Sequence, residues 1–303
     1  MPATASYRKE LYPFVGSYLN MDGVSMHYLD EGSGDPVIML HGNPTWSFYY
    51  RNLILGLRQQ CRAIVPDHVG CGFSDKPEER RYEYTLDRRA QDVETLINHL
   101  GIKGRLTLVM HDWGGMIGMT YAARHPERIG RLVLLNTAAF HLPATKQLPP
   151  SLWLCRHTPL NDFLIRRSGL FCRLVLRWGC RSPMPELVRE GYLAPYLSGE
   201  NRLGQLRFVQ DIPLQAGDHS YALVSEVQGR LAAFRNTPAL ILWGEKDFVF
   251  DEHFLKVWEE TLPQAEVHRF PNAGHLVLED AGAEILPIIQ RFFEKHPCPQ
   301  PGG

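Results

Sequence analysis

The 303-residue sequence has no excess of charge of either sign. Its 32 Lys and Arg stand against 33 Asp and Glu, a formal net charge of −1. Such a balance gives no electrostatic ground for nucleic-acid binding, which depends on neutralising phosphates, so no nucleic-acid partner is expected. Apolar runs are short, and none reaches the roughly 18 residues of a membrane-spanning helix. The opening MPATASYRKELYPFVGSYLN holds no apolar stretch of signal-peptide length. Cysteine is scarce and unpatterned: the six at 61, 71, 155, 172, 180 and 298 form no CxxC pair. Without a secretion signal they are expected to be free thiols in a reducing cytoplasm, neither bridged nor holding metal. No repeat is present, and no cofactor motif was found.

What remains is ordinary globular composition, 44% apolar and 21% charged, arranged as short apolar runs alternating with amphipathic stretches. Val37–Leu40, Ala63–Val65, Leu106–Met110, Leu132–Leu135, Ala239–Trp243 and Glu266–Phe270 read as strands. Most are continuous rather than alternating, as strands buried on both faces of a parallel sheet are. Helical spacing fills Thr85–Leu100, Gly114–Arg124, Asp251–Thr261 and Ala283–Lys295. Val15–Asn20 and Val24–Asp30, joined around Asp22–Gly23, read as a hairpin. This is an α/β chain with a doubly wound, mostly parallel sheet. The alternation stops between Ala138 and Gly229, which reads as an inserted helical cap. The expected organisation is a core over 1–137, a cap over 138–229, a second core part over 230–296 and a disordered tail over 297–303. Within the cap, Arg156–Arg181 interleaves six arginines with Leu, Ile, Val, Phe and Trp. It reads either as a helix with solvated arginines or as a basic amphipathic surface that docks a partner or a membrane.

Three motifs carry chemistry. In LTLVMHDWGG (Leu106–Gly115) an apolar strand meets a polar residue, two glycines and a helical pattern. That is the strand–turn–helix setting of a nucleophile elbow in an α/β-hydrolase fold, with Asp112 in the nucleophile slot. Met110 stands where the strict motif has a small residue. A carboxylate is already ionised at neutral pH and can displace a leaving group from a saturated carbon. The resulting ester then needs a base and an oxyanion hole. In VIMLHGNPTW (Val37–Trp46) the His-Gly turn after a strand is where this fold supplies one oxyanion donor. The Asn43 and Trp113 N–H groups are therefore expected at the oxyanion, with the Asn43 side chain available to a leaving anion. In FPNAGHL (Phe270–Leu276) a His follows the last strand, which makes His275 the general-base candidate among 13 histidines. The acid partner must follow a strand at the same edge. After Leu132–Leu135 stands Asn136, not a carboxylate; after Ala239–Trp243 comes Gly-Glu-Lys-Asp, so Asp247 is favoured over Glu245 and Asp251.

HGNPTWSFYYR, DHVGCGFSDKP, HDWGG, WGEKD and AGHLVLED together resemble the haloalkane dehalogenase family, from about Phe14 to Lys295. The resemblance implies Asp112 as nucleophile, Asn43 and Trp113 as halide donors, and His275 with Asp247 as the hydrolytic pair. It places the chain in the branch whose acid follows the later strand. NTAAFHLP (Asn136–Pro143) and FVQDIPL (Phe208–Leu214) look most like a group within that branch that includes the β-lactone decarboxylases of bacterial olefin biosynthesis. The implied substrate is thus a haloalkane or a cis-β-lactone, a small hydrophobic molecule in either case. Enzymes of the olefin pathway act in multi-enzyme assemblies, so association through the basic cap is also implied. An epoxide hydrolase would share the Asp, His and Asp but needs cap tyrosines as acids, for which Tyr192, Tyr196 and Tyr221 are available.

Overall fold

The structure is a computed structural model that describes residues 10–158 and 160–298. Eight strands form one sheet: β1 (Ser17–Met21), β2 (Val24–Gly32), β3 (Pro36–Leu40), β4 (Arg62–Pro66), β5 (Leu106–Asp112), β6 (Ile129–Thr137), β7 (Ala239–Gly244) and β8 (Glu266–Phe270). Their order is β1-β2-β4-β3-β5-β6-β7-β8. β2 runs antiparallel to both β1 and β4, and every pairing from β4 through β8 is parallel. The expected runs are where the strands lie. Every residue of β3, β5 and β7 is buried, which is why these read as continuous apolar runs. The hairpin turn is also where its sequence puts it, with Asp22 at φ 53° and Gly23 at φ 83°.

Helices 86–99 and 113–124 cover one part of the sheet, and helix Val277–Lys295 closes over another. The last begins six residues earlier than its periodicity suggests, with a break at Ala281 and Pro287 inside it. The periodic pattern covers only the part beyond the break. A helix over Arg51–Leu57, which no sequence pattern singled out, follows the turn after β3.

Between β6 and β7 the chain runs through helices 150–157, 170–178, 186–193, 203–210 and 221–230, with a π-helical turn over 162–167. Most of these lie over the carboxyl ends of the strands, while helix 221–230 reaches the core, where Arg230 donates to the Ala123 carbonyl at 3.1 Å. Several hydrogen bonds tie cap to core, two of them at carboxylates. Tyr192 of the cap donates to Glu279 Oε1 at 2.5 Å, and Arg51 clasps the same carboxylate at 2.6 and 2.8 Å. Asp211 accepts from the Leu86 N–H at 2.8 Å, where helix 86–99 begins.

All six cysteines are free and buried. One of them bears on the expected disordered tail. Cys298 is buried, its N–H donates to Asp35 at 3.3 Å, and Arg131 donates to the neighbouring His296 carbonyl at 3.0 Å. The rest of that tail, 299–303, lies outside the described residues. Among the described residues no helix is long and apolar enough to cross a membrane.

Candidate active site

β5 ends at Asp112 and a helix starts at the next residue. Asp112 turns the corner at φ 51° and ψ −123°, a left-handed conformation that residues with side chains adopt only when their surroundings enforce it. Glycines make the corner feasible. A Cβ on Gly114 would stand 1.9 Å from the Leu40 carbonyl, and one on Gly115 would stand 2.0 Å from Thr137 Oγ1. Met110, the departure from the strict motif, is accommodated from the other side: a Cβ on Gly118 would meet its sulfur at 2.4 Å. The small residue that the motif has in the strand is supplied here by the helix.

The Asp112 carboxylate is divided between two environments. Oδ1 accepts from the Asn43 backbone N–H at 2.6 Å, and the adjoining Trp113 backbone N–H favours the charged form of the carboxylate. Gly42 leaves room for this, since a Cβ there would lie 2.0 Å from Oδ1. Oδ2 lies 3.8 Å from His275 Nε2. Were Oδ2 to bond to carbon, Oδ1 would become the ester carbonyl already held by the Asn43 N–H, a donor of the kind that stabilises an oxyanion.

His275 follows β8 and is buried; its Nδ1 lies 2.9 Å from Asp247 Oδ2. Asp247, also buried, is fixed in turn by the Val249 N–H at 2.7 Å to Oδ1. The other two acids have other partners: Glu245 is exposed beside Arg269, and Asp251 caps helix 252–261 and pairs with Lys146. Burial works against a charged His275, but Asp247 and then Asp112 outweigh it and raise its pKa above the usual histidine range. Asp112 shifts upward because burial outweighs the His275 charge and the two N–H donors.

These groups open on a cavity of about 340 Å³. Asn43, Asp112, Trp113 and His275 line one end; the rest is apolar wall from the cap and the β7–helix loop, including Leu152, Phe171 and Phe250. The Asn43 side chain gives one N–H to the Gln205 carbonyl at 3.0 Å. A carboxamide nitrogen has two, so a donor remains for an anion in the cavity. No tyrosine lines it. Tyr192 is engaged with Glu279, Tyr196 contacts Thr45 and Gly72, and Tyr221 stacks on His141. None of the three cap tyrosines is therefore among the described residues that line the cavity.

Two further residues shape the site, and sequence reasoning gave neither a role. His111 Nε2 lies 2.8 Å from the His275 carbonyl, and burial keeps its ring neutral, so Nε2–H is the donor. Asn136, at the position of the alternative acid, ties β6 to the Asp247 loop: Oδ1 accepts from Gly244 N at 2.7 Å and Nδ2 donates to Gly244 O at 3.0 Å. No local motif marks either contact, because each joins residues more than 100 positions apart.

The alpha/beta hydrolase fold model matches residues 35–282. The chain is 53% identical to a cis-3-alkyl-4-alkyloxetan-2-one decarboxylase of Shewanella oneidensis over 93% of this chain and 89% of that protein. A decarboxylase of the same description from Xanthomonas campestris is 44% identical over 94% of this chain and 98% of its own length. Haloalkane dehalogenase 2 of Mycobacterium tuberculosis is 32% identical over 93% of this chain and 96% of its own. Among solved structures, a haloalkane dehalogenase from Agrobacterium tumefaciens superposes with a TM-score of 0.83 at 23% identity, covering 93% of this chain and 96% of that one, a likeness of fold. The chain belongs to the alpha/beta hydrolase fold family, in the group that holds these oxetanone decarboxylases and haloalkane dehalogenases.

Proposed function

We propose that the chain removes CO₂ from a cis-3,4-dialkyl-oxetan-2-one, a β-lactone, to give an alkene. The observation that carries this is the 53% identity, over 93% of this chain, to a decarboxylase of that substrate class, with the Asp112 carboxylate opening on a largely apolar cavity of about 340 Å³. Asp112 Oδ2 attacks ring carbon 4 and breaks its bond to the ring oxygen, freeing the lactone carboxyl as a carboxylate. That anion is received by Asn43 and Trp113. The electrons of the bond between carbon 3 and the carboxylate then form the double bond, CO₂ leaves, and the bond to Asp112 breaks. Asp112 is regenerated as a carboxylate, no water is consumed, and no cofactor is needed. Inversion at carbon 4 followed by anti departure returns a cis alkene from a cis lactone.

A second reading is favoured by the His275–Asp247 pair, which water-independent decarboxylation does not require. With a haloalkane, Asp112 displaces halide toward the same donors. His275 then activates a water that attacks the Asp112 ester, giving alcohol. One purified sample given a cis-dialkyl β-lactone or a bromoalkane in heavy-oxygen water separates the two. The decarboxylase releases CO₂ and alkene and leaves Asp112 unlabelled; the dehalogenase releases halide and carries heavy oxygen in Asp112. A lactone that is untouched, or hydrolysed to the hydroxy acid without CO₂, would overturn the first reading.

A further inference from the structure

The cap's outer face is both apolar and basic. Of the large apolar side chains left exposed, Trp153, Leu154, Leu160, Phe163, Leu170 and Trp178 all belong to a stretch of 26 residues, and Trp153, Phe163 and Trp178 are each more than half exposed. Five arginines, at 166, 167, 173, 177 and 181, fall between Phe163 and Pro185 with no acidic residue among them. Arg166 and Arg167 share Asp162. Arg173, Arg177 and Arg181 are exposed and form no ion pair among the described residues. An exposed apolar patch rimmed by polar groups marks an interaction site, and here the surplus charge is positive on a chain whose net charge is −1.

The patch coincides with the cavity mouth. Leu154, Leu170 and Trp178 are at once exposed and part of the cavity wall. On helix 170–178, Leu170, Leu174 and Trp178 lie four residues apart on one face, with Arg173 and Arg177 beside them. Two surface tryptophans next to arginines suit a water–lipid boundary, where the ring is buried and the cation reaches headgroup phosphate.

We infer that this face of the cap docks on an anionic lipid surface, so that an apolar substrate enters the cavity from the bilayer without crossing water. A second copy of the chain fits less well. A two-fold contact would set unpaired arginines against arginines and would cover the mouth. The inference uses the apolar substrate class of the proposed function for the entry route, but docking itself needs no substrate.

The test therefore contains none. The full-length chain is mixed with vesicles of phosphatidylglycerol and phosphatidylcholine, or of phosphatidylcholine alone, and bound protein is read by co-sedimentation. Binding is expected to the anionic vesicles in low salt, to be lost in high salt, and to be about tenfold or more weaker for Arg173→Glu/Arg177→Glu. Trp153→Ser/Phe163→Ser, which also spares the cavity lining, should weaken binding while leaving Tm unchanged. Quenching of tryptophan fluorescence by brominated lipid should fall in that variant. Equal binding to both vesicle types, binding that the arginine variant retains, or no vesicle binding by a chain that instead self-associates through these residues would each overturn the inference.

Discussion

Asp112 accepts from the Asn43 N–H and lies 3.8 Å from an imidazole, yet burial still lifts its pKa. The folded chain therefore binds that proton more tightly than the unfolded chain. Stability falls as pH rises from the ordinary carboxylate range through the raised value, and at neutral pH the ionised group destabilises the fold. Asp112→Asn should abolish turnover and raise Tm by roughly 2 °C or more in a calorimetric scan; a lowered Tm would mean that the donors outweigh burial. His275 gives a second pH signature. Its raised pKa means that it keeps its proton above the usual histidine range. For a bromoalkane, kcat should fall as pH drops and the base is protonated. For a lactone, that limb should be missing, and activity should fail only when Asp112 itself takes up a proton. Superimposable pH profiles for the two substrates would contradict the two-step assignment. Asp112, Asn43, Trp113 and His275 were legible in the sequence because each sits in a short motif at the end of an apolar run. Asp247 was legible by elimination. His111 and Asn136 were not, since a histidine touching a carbonyl 164 residues away leaves no periodic trace.

The elbow is a property of two elements fitted together. Helix 113–124 lies on β3, β5 and β6 closely enough that Gly114, Gly115 and Gly118 each stand where a side chain would collide. At Gly118 alone of the three the nearest neighbours are all side-chain atoms, of Met110 and Leu40, so it is the adjustable one. Gly118→Ala should lower stability by about 1–3 kcal/mol in chemical denaturation, the usual penalty of overpacking a core. Shortening Met110 to Ala in the same chain should recover part of that loss. Simple addition of the two penalties would refute the pairing. The strands were readable from their unbroken apolar runs. The start of helix 277–295 was not, because its break at Ala281 and Pro287 separates the first turn from the periodic remainder.

At the scale of the whole molecule, the cap is anchored by Glu279, which takes both the buried Arg51 guanidinium and the Tyr192 hydroxyl. Removing one partner of such a pair strands a charge, so Glu279→Ala should destabilise the protein by about 3–5 kcal/mol; a loss below about 1 kcal/mol would make the clasp ornamental. The cap's place after β6 was visible as a lapse in alternation, but its fastening was not, because Tyr192 and Glu279 are 87 residues apart and no local pattern links them. That fastening constrains how the enzyme breathes. Glu279 lies four residues beyond His275, at the start of the helix that leads away from that imidazole. A lid hinged open as one piece would pull on the imidazole and unsettle the site at the moment a substrate arrived. Helix 170–178 is tied to the same loop, its C-terminal Gly179 carbonyl accepting from the Leu276 N–H at 2.9 Å, so a shift of this wall of the cavity reaches the residue next to His275.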